Sequence, residues 1–463
     1  MSAVKRLQIA LVVFAGVSGC LLMGGKSQVN GSESQQILIT HAPVAHPTAD
    51  LEGKERFPQG AQLLLLQGST TTSLFPAFYA SADANVHPDG SSFLFAGRKS
   101  ADQPWQIYES QRDGAAPRQL THGSEDCILP FYLPDGRFVY AKKLQGGFVL
   151  TVASLAESGK ETQISHVGGS ALPAGVLQDG RILFLSGFPL GTASEQTEIY
   201  TVYPDGSGVE AYRCDHTHAR FAPAEQGNHD ILFATRSGLA RFTDDSAQEV
   251  SFAAPAGDYS GGFAAIDAKH WIVAQRSPLL HASKTAAEAS HYALDQMENG
   301  TLRPLLADAS SDYLQPVLLH AYDRPLRFPS ALHPWKTANQ MSLNSYRIEH
   351  GALLHGQIAQ VQVSTRDAQG HVQVLGTAPV EKDGSFFVMV PGNQPLQYAL
   401  LDRQGHVLRQ EHGWFWSASG EQRICVGCHT GPERSPENRV PQILLRSTDP
   451  TDLSATSTTP AGR

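Results

Sequence analysis

Methionine, charge and long apolar runs are all scarce in this chain, and each shortage excludes something. The 463 residues include five methionines, none of them after Met389. Only 17% are charged and the formal net charge is −9, which argues against nucleic acid and anionic membrane surfaces as partners. Beyond the N-terminus no stretch approaches the roughly 20 apolar residues needed to span a bilayer. No Ser-His-Asp order, phosphate-binding loop or carboxylate pair stands out. Cysteine is scarce too, at five. The pair Cys425 and Cys428 has no second Cys-x-x-Cys to complete a zinc site. Its surroundings also lack the strand-to-helix α/β setting of a thioredoxin-type dithiol.

What is present is Cys425-Val426-Gly427-Cys428-His429. Two thiols three positions apart can thioether-bond the vinyl groups of one haem, and the histidine directly after them is then pinned over the iron. The expectation is one covalent haem c on Cys425 and Cys428, with His429 as axial ligand. Such attachment happens outside the cytoplasm, and the N-terminus is built for export. Lys5 and Arg6 precede an apolar run from Leu7 to Val17, which has signal-peptide length. Val17-Ser18-Gly19-Cys20 resembles a bacterial lipobox. This predicts a signal peptide over 1–19, lipidation of Cys20 and a linker over 20–35. The protein is then expected on the periplasmic side of the cell envelope, held to the outer membrane by its lipid.

The 42 glycines and 28 prolines point to many turns and short strands. The middle of the chain repeats itself. Pro88-Asp89-Gly90 precedes Phe93-Leu94-Phe95-Ala96, Pro134-Asp135-Gly136 precedes Phe138-Val139-Tyr140-Ala141, and Gln178-Asp179-Gly180 precedes Ile182-Leu183-Phe184-Leu185. Weaker copies follow at Ile231-Leu232-Phe233-Ala234 and Trp271-Ile272-Val273-Ala274. Asp-Gly between apolar runs signals a hairpin turn, which requires positive φ. A period of about 45 residues with about four short strands per copy is the signature of a β-propeller blade. The fold is therefore expected to be all-β, with a six-bladed propeller over 36–321 and seven blades as the competitor. Ile37-Leu38-Ile39 and Leu63-Leu64-Leu65-Leu66 from the start should pair with Pro316-Val317-Leu318-Leu319 from the end and close the ring. The Pro-Asp-Gly, Gln-Ile-Tyr and Gln119-Leu120-Thr121 pattern resembles the TolB-type, WD40-like repeat.

Prolines 325, 329 and 334 mark a connector over 322–345. Alternating runs at Ile358–Val363, Phe386–Val390 and Tyr398–Leu401, with turns at Asp383-Gly384 and Gln404-Gly405, predict a small antiparallel β-domain over 346–446 that carries the haem motif. The Ser/Thr/Pro-rich stretch 447–463 reads as a disordered tail. Gly376-Thr377-Ala378-Pro379-Val380, Asp383-Gly384-Ser385-Phe386, Val390-Pro391, Pro395-Leu396, Leu401-Asp402, Trp414, Gly420-Glu421 and the Cys425–His429 motif together resemble the middle domain of the hydrazine synthase alpha subunit family. The resemblance implies a propeller packed against a haem-bearing domain, with the haem near their seam. The chain departs from that family in two ways. The family's enzyme has a further haem domain downstream and works in a multi-subunit assembly. Its first haem also takes a tyrosine ligand shortly after the motif, whereas Thr430-Gly431-Pro432-Glu433-Arg434-Ser435 holds none. Hydrazine synthesis is therefore not carried over.

With no methionine downstream, a sixth iron ligand is expected from upstream, from the propeller or from nowhere, and His412 and Met389 are the candidates. Trp414 and Trp416 are expected to wall the porphyrin. Cys127 and Cys214 fall near blade entrances, on loops expected to share one propeller face; a disulfide, buried thiols, or a metal site with His216 and His218 all remain open. Two functions compete. One is redox chemistry or electron transfer by a tethered mono-haem cytochrome with a redox partner protein. The other is a TolB-like interaction propeller whose haem only relays electrons to a docked partner, or is structural.

Overall fold

The computed structural model describes residues 35–455, except 116, 158, 193–195, 214–215, 247, 268, 277–290, 348–352 and 428–437. Cys20, Cys214, Cys428 and His429 lie outside the described residues, as does the predicted signal peptide. No helix among the described residues is long and apolar enough to cross a membrane.

Six four-stranded antiparallel sheets succeed one another from Gln36 to Leu318. Each packs against the next, and the last in order packs against the first. The expected closure is present: Gln36–Ala42 pairs with Gln62–Gln67 on one side and with Asp312–Leu318 on the other, matching Ile37 to Leu318 and Leu38 to Val317. The ring thus leaves no open sheet edge at its seam. The apolar tetrads Phe93–Ala96, Phe138–Ala141 and Ile231–Ala234 are buried along their whole length. They do not alternate because each sheet is covered on both faces by its neighbours, as in any stack of blades. The turns behave as their residues require. Gly90 sits at φ +73°, where a Cβ would meet the backbone of Ala321 at 2.8 Å, and Asp89 accepts from the Ser91 amide.

The innermost strands share a device the repeat pattern did not reveal. Leu129, Ala222 and Gln315 each adopt positive φ and each precede a proline, and Asp83 does the same without one. At these places the ladder slips by a residue, as β-bulges do. They surround a central cavity of about 470 Å³. The long connection 43–61 closes one end of it. There Arg56 forks onto Asp83 at 2.7 and 2.8 Å and also meets Asp50, all three buried. Burial pushes the Asp50 carboxyl up to about 6.

Two further sheets follow, and here the expected boundaries are corrected. Thr337–Ser342, placed by sequence in the connector, is a central strand: it pairs with Phe386–Pro391 and, in parallel, with Gln422–Cys425. Its polar centre hid it, since Gln340 donates to the buried Ser417 hydroxyl at 2.7 Å rather than pointing to water. The supposed tail is also ordered in part. Thr451–Asp452 adds a parallel edge strand beside Val388 and Met389, and Leu453 is buried in the core. The domain is therefore mixed rather than purely antiparallel. The second sheet, built on Gln360–Arg366 and Leu396–Leu401, packs across a core of Val361, Val363, Val388, Val390, Leu396 and Leu400.

Candidate functional site at Cys425

The strand Gln422–Cys425 alternates. Ile424 is 61% exposed, while Arg423 and Cys425 turn inward on the other face. Cys425 is paired with Ser342, and Ser342 with Phe386, so these three share a face. The Leu343 amide donates to the Cys425 carbonyl at 2.8 Å and pins the backbone where the motif begins. The thiol opens onto a cavity of about 140 Å³, lined among others by Phe386, Tyr398, Glu411, Phe415 and Arg423. Tyr398 and Phe415 meet edge to face, with centroids 5.1 Å apart.

The described residues lining this cavity all belong to the second body, and one of them, Arg423, reaches the seam with the propeller. The Trp416 indole N–H donates to the Gly206 carbonyl at 2.9 Å, the Trp414 amide to Leu190 at 3.1 Å, and Arg366 to Gly191 at 2.7 Å. The Glu421 carboxylate accepts from the Gly208 amide, and Arg423 Nη2 donates to the Val209 carbonyl at 2.7 Å. These propeller residues belong to the fourth sheet: the loop after Ile182–Gly187 and the approach to its outermost strand, Glu210–Ala211. Contact therefore runs along the outer side of the ring. That outermost strand is only two residues long, which leaves Ile164, Val167 and Val209 for Trp414 and Trp416 to cover.

Several expected roles change accordingly. Trp414 and Trp416 are buried against the propeller and do not line the Cys425 cavity; the residue between them, Phe415, does. Met389 alternates with Val388 and Val390 and so lies on the opposite face of its sheet from Cys425. His412 is exposed, while its neighbour Glu411 lines the cavity. Cys127 opens an innermost strand, not a loop, and burial pushes its thiol up to about 12. His216 lies 2.9 Å from Glu198 and stacks on Phe188, and His218 lies 3.1 Å from Glu249. Both of those carboxylates hold the buried Arg220. Among the described residues no three His, Cys, Asp or Glu side chains are grouped to hold a metal. His166, unremarked in the sequence, stands edge-on to Trp416 in the seam, and burial pushes its pKa down to about 4. The parity of Arg423 and Cys425 within one short strand is the sequence signal that could have found Arg423.

The donor set fits the group the motif implies. Aromatic walls suit a flat apolar ring. Arg423 Nη1 is a buried N–H donor without a hydrogen-bond partner among the described residues, which suits an anionic edge.

Residues 341–430 match the family model of the hydrazine synthase alpha subunit middle domain. This segment is hydrazine synthase alpha-like. The likeness of fold extends further: hydrazine synthase of Kuenenia stuttgartiensis superposes with a TM-score of 0.76 over 90% of this chain and 72% of that one, at 16% identity. TolB from Acinetobacter baumannii aligns over 62% of this chain and 67% of its own at 13% identity, with a TM-score of 0.43. An uncharacterized protein of Agrobacterium fabrum is 32% identical over 97 residues, 21% of this chain. The chain spans about a third of that relative's length, 32%. The hydrazine synthase alpha-like segment begins inside the strand Thr337–Ser342 and runs through the Cys425 motif, so it contains the cavity and its seam contacts with the propeller.

Proposed function

We propose that the hydrazine synthase alpha-like segment carries one haem c, bonded through Cys425 and Cys428 with His429 on the iron, and that the protein performs redox chemistry at that haem. The six sheets form a six-bladed propeller that serves as its rigid platform. The observation that carries this reading is the placement of Cys425 at an aromatic-walled cavity whose Arg423 also reaches the propeller. The haem would supply one-electron chemistry, and the chain's own residues would shield and orient it. A redox partner protein supplies or removes electrons at the exposed side. Anchorage through Cys20 keeps the protein at the envelope, facing the periplasm. In that case Cys20→Ala should move the protein to the soluble fraction or leave it uncleaved; normal processing with full membrane retention would contradict the anchor.

Met389 lies on the opposite face of its sheet from Cys425 and His412 is exposed, which favours an iron with an open position over a pure electron relay. The reduced protein is then expected to bind CO, seen as a shift of its main optical band. An unchanged low-spin spectrum under CO would favour the relay reading, in which a docked partner only exchanges electrons with the haem.

A further inference from the structure

Arg423 is held in an arrangement that the described residues do not complete. Its Nη2 is committed to the Val209 carbonyl of the propeller, and Nη1 is buried with no hydrogen-bond partner among the described residues. Burial disfavours its charge, yet the Cys425 sulfur, through its charge and a side-chain hydrogen bond, and the Glu421 carboxylate beside it hold its pKa above the ordinary value. Neither is a lasting counter-ion. Glu421 spends its oxygens on the Gly208 and Ala418 amides, and burial pushes its pKa up. Cys425, once in a thioether, carries no charge. A buried guanidinium left with an unmatched N–H is costly, and its forked donors match a carboxylate.

Resting on the haem reading above, we propose that Arg423 is the positioning residue that anchors a carboxylate of the porphyrin edge. Because the same guanidinium is tied to Val209, it would lock the ring's orientation to the propeller. Among the described residues no other guanidinium or ammonium lines the Cys425 cavity.

The test compares wild type, Arg423→Gln and Arg423→Lys, produced with covalent haem, by haem content and by midpoint potential across pH. Attachment depends on the cysteines, so Arg423→Gln should keep wild-type haem content. Its potential should fall, because the unpaired carboxylate stabilises the oxidised iron. It should also gain a pH dependence near neutrality, as the carboxyl loses the cation that kept it ionised. Arg423→Lys, which keeps the charge and loses the fork, should shift less in the same direction, and it carries the test if the glutamine variant does not fold. Added acetate should leave the wild-type potential unchanged; an acetate-dependent potential would assign the site to a soluble carboxylate instead and overturn the proposal. Potentials and pH profiles equal to wild type in the variants would overturn it as well. A wild-type protein without haem would remove the reading beneath it.

Discussion

Replacing Cys425 or Cys428 with alanine is expected to change haem retention more than any other single substitution in the chain. A haem held by two thioethers survives denaturation, so wild-type protein from a strain competent for cytochrome c maturation should give a peroxidase-type stain on a denaturing gel. Each alanine variant should lose most or all of it. The fold should survive in Cys425→Ala, because the strand Gln422–Cys425 is held by backbone pairing with Thr337–Ser342 rather than by its thiol. Circular dichroism of the variant separates loss of haem from loss of fold. Full staining in both variants would mean the motif is not the attachment site.

The second large effect is on stability. Trp416 is 0% exposed and fills the seam beside the fourth propeller sheet, where its indole N–H reaches Gly206. Trp416→Ala removes that contact area, leaves the Gly206 carbonyl without its donor and opens a void. Large-to-small changes of this kind typically cost about 3–5 kcal/mol. Chemical denaturation should show the loss, with the seam weakened. Trp414→Phe, which keeps an aromatic body under the Arg366 guanidinium 4.8 Å away, should cost far less. A Trp416→Ala cost below about 1 kcal/mol would show that the seam is not a packed core.

How much of this was legible in the sequence follows from what each residue faces. The propeller was legible because strands such as Phe93–Ala96 are covered on both sides and read as unbroken apolar runs between Asp-Gly turns. Ring closure was legible for the same reason: Ile37 and Leu318 had to be buried somewhere, and they pair with each other. Thr337–Ser342 was not legible, because Asn339 and Gln340 look like a connector and the burial of Gln340 depends on Ser417, far along the chain. The cysteine motif was read from chemistry alone, but the walls around Cys425 needed parity. In Trp414-Phe415-Trp416 the composition suggested two tryptophans at the haem, whereas the local chain direction gives both to the propeller and Phe415 to the cavity. The same parity places Met389 behind its sheet. His412, one residue past Glu411, is exposed.

The most direct test of the central claim is the intact mass of the denatured wild-type protein, expressed with the cytochrome c maturation machinery. The account predicts the mass of the processed chain plus exactly one haem, retained under denaturing conditions and absent from the Cys425→Ala, Cys428→Ala double variant. A wild-type mass equal to the bare chain would contradict it.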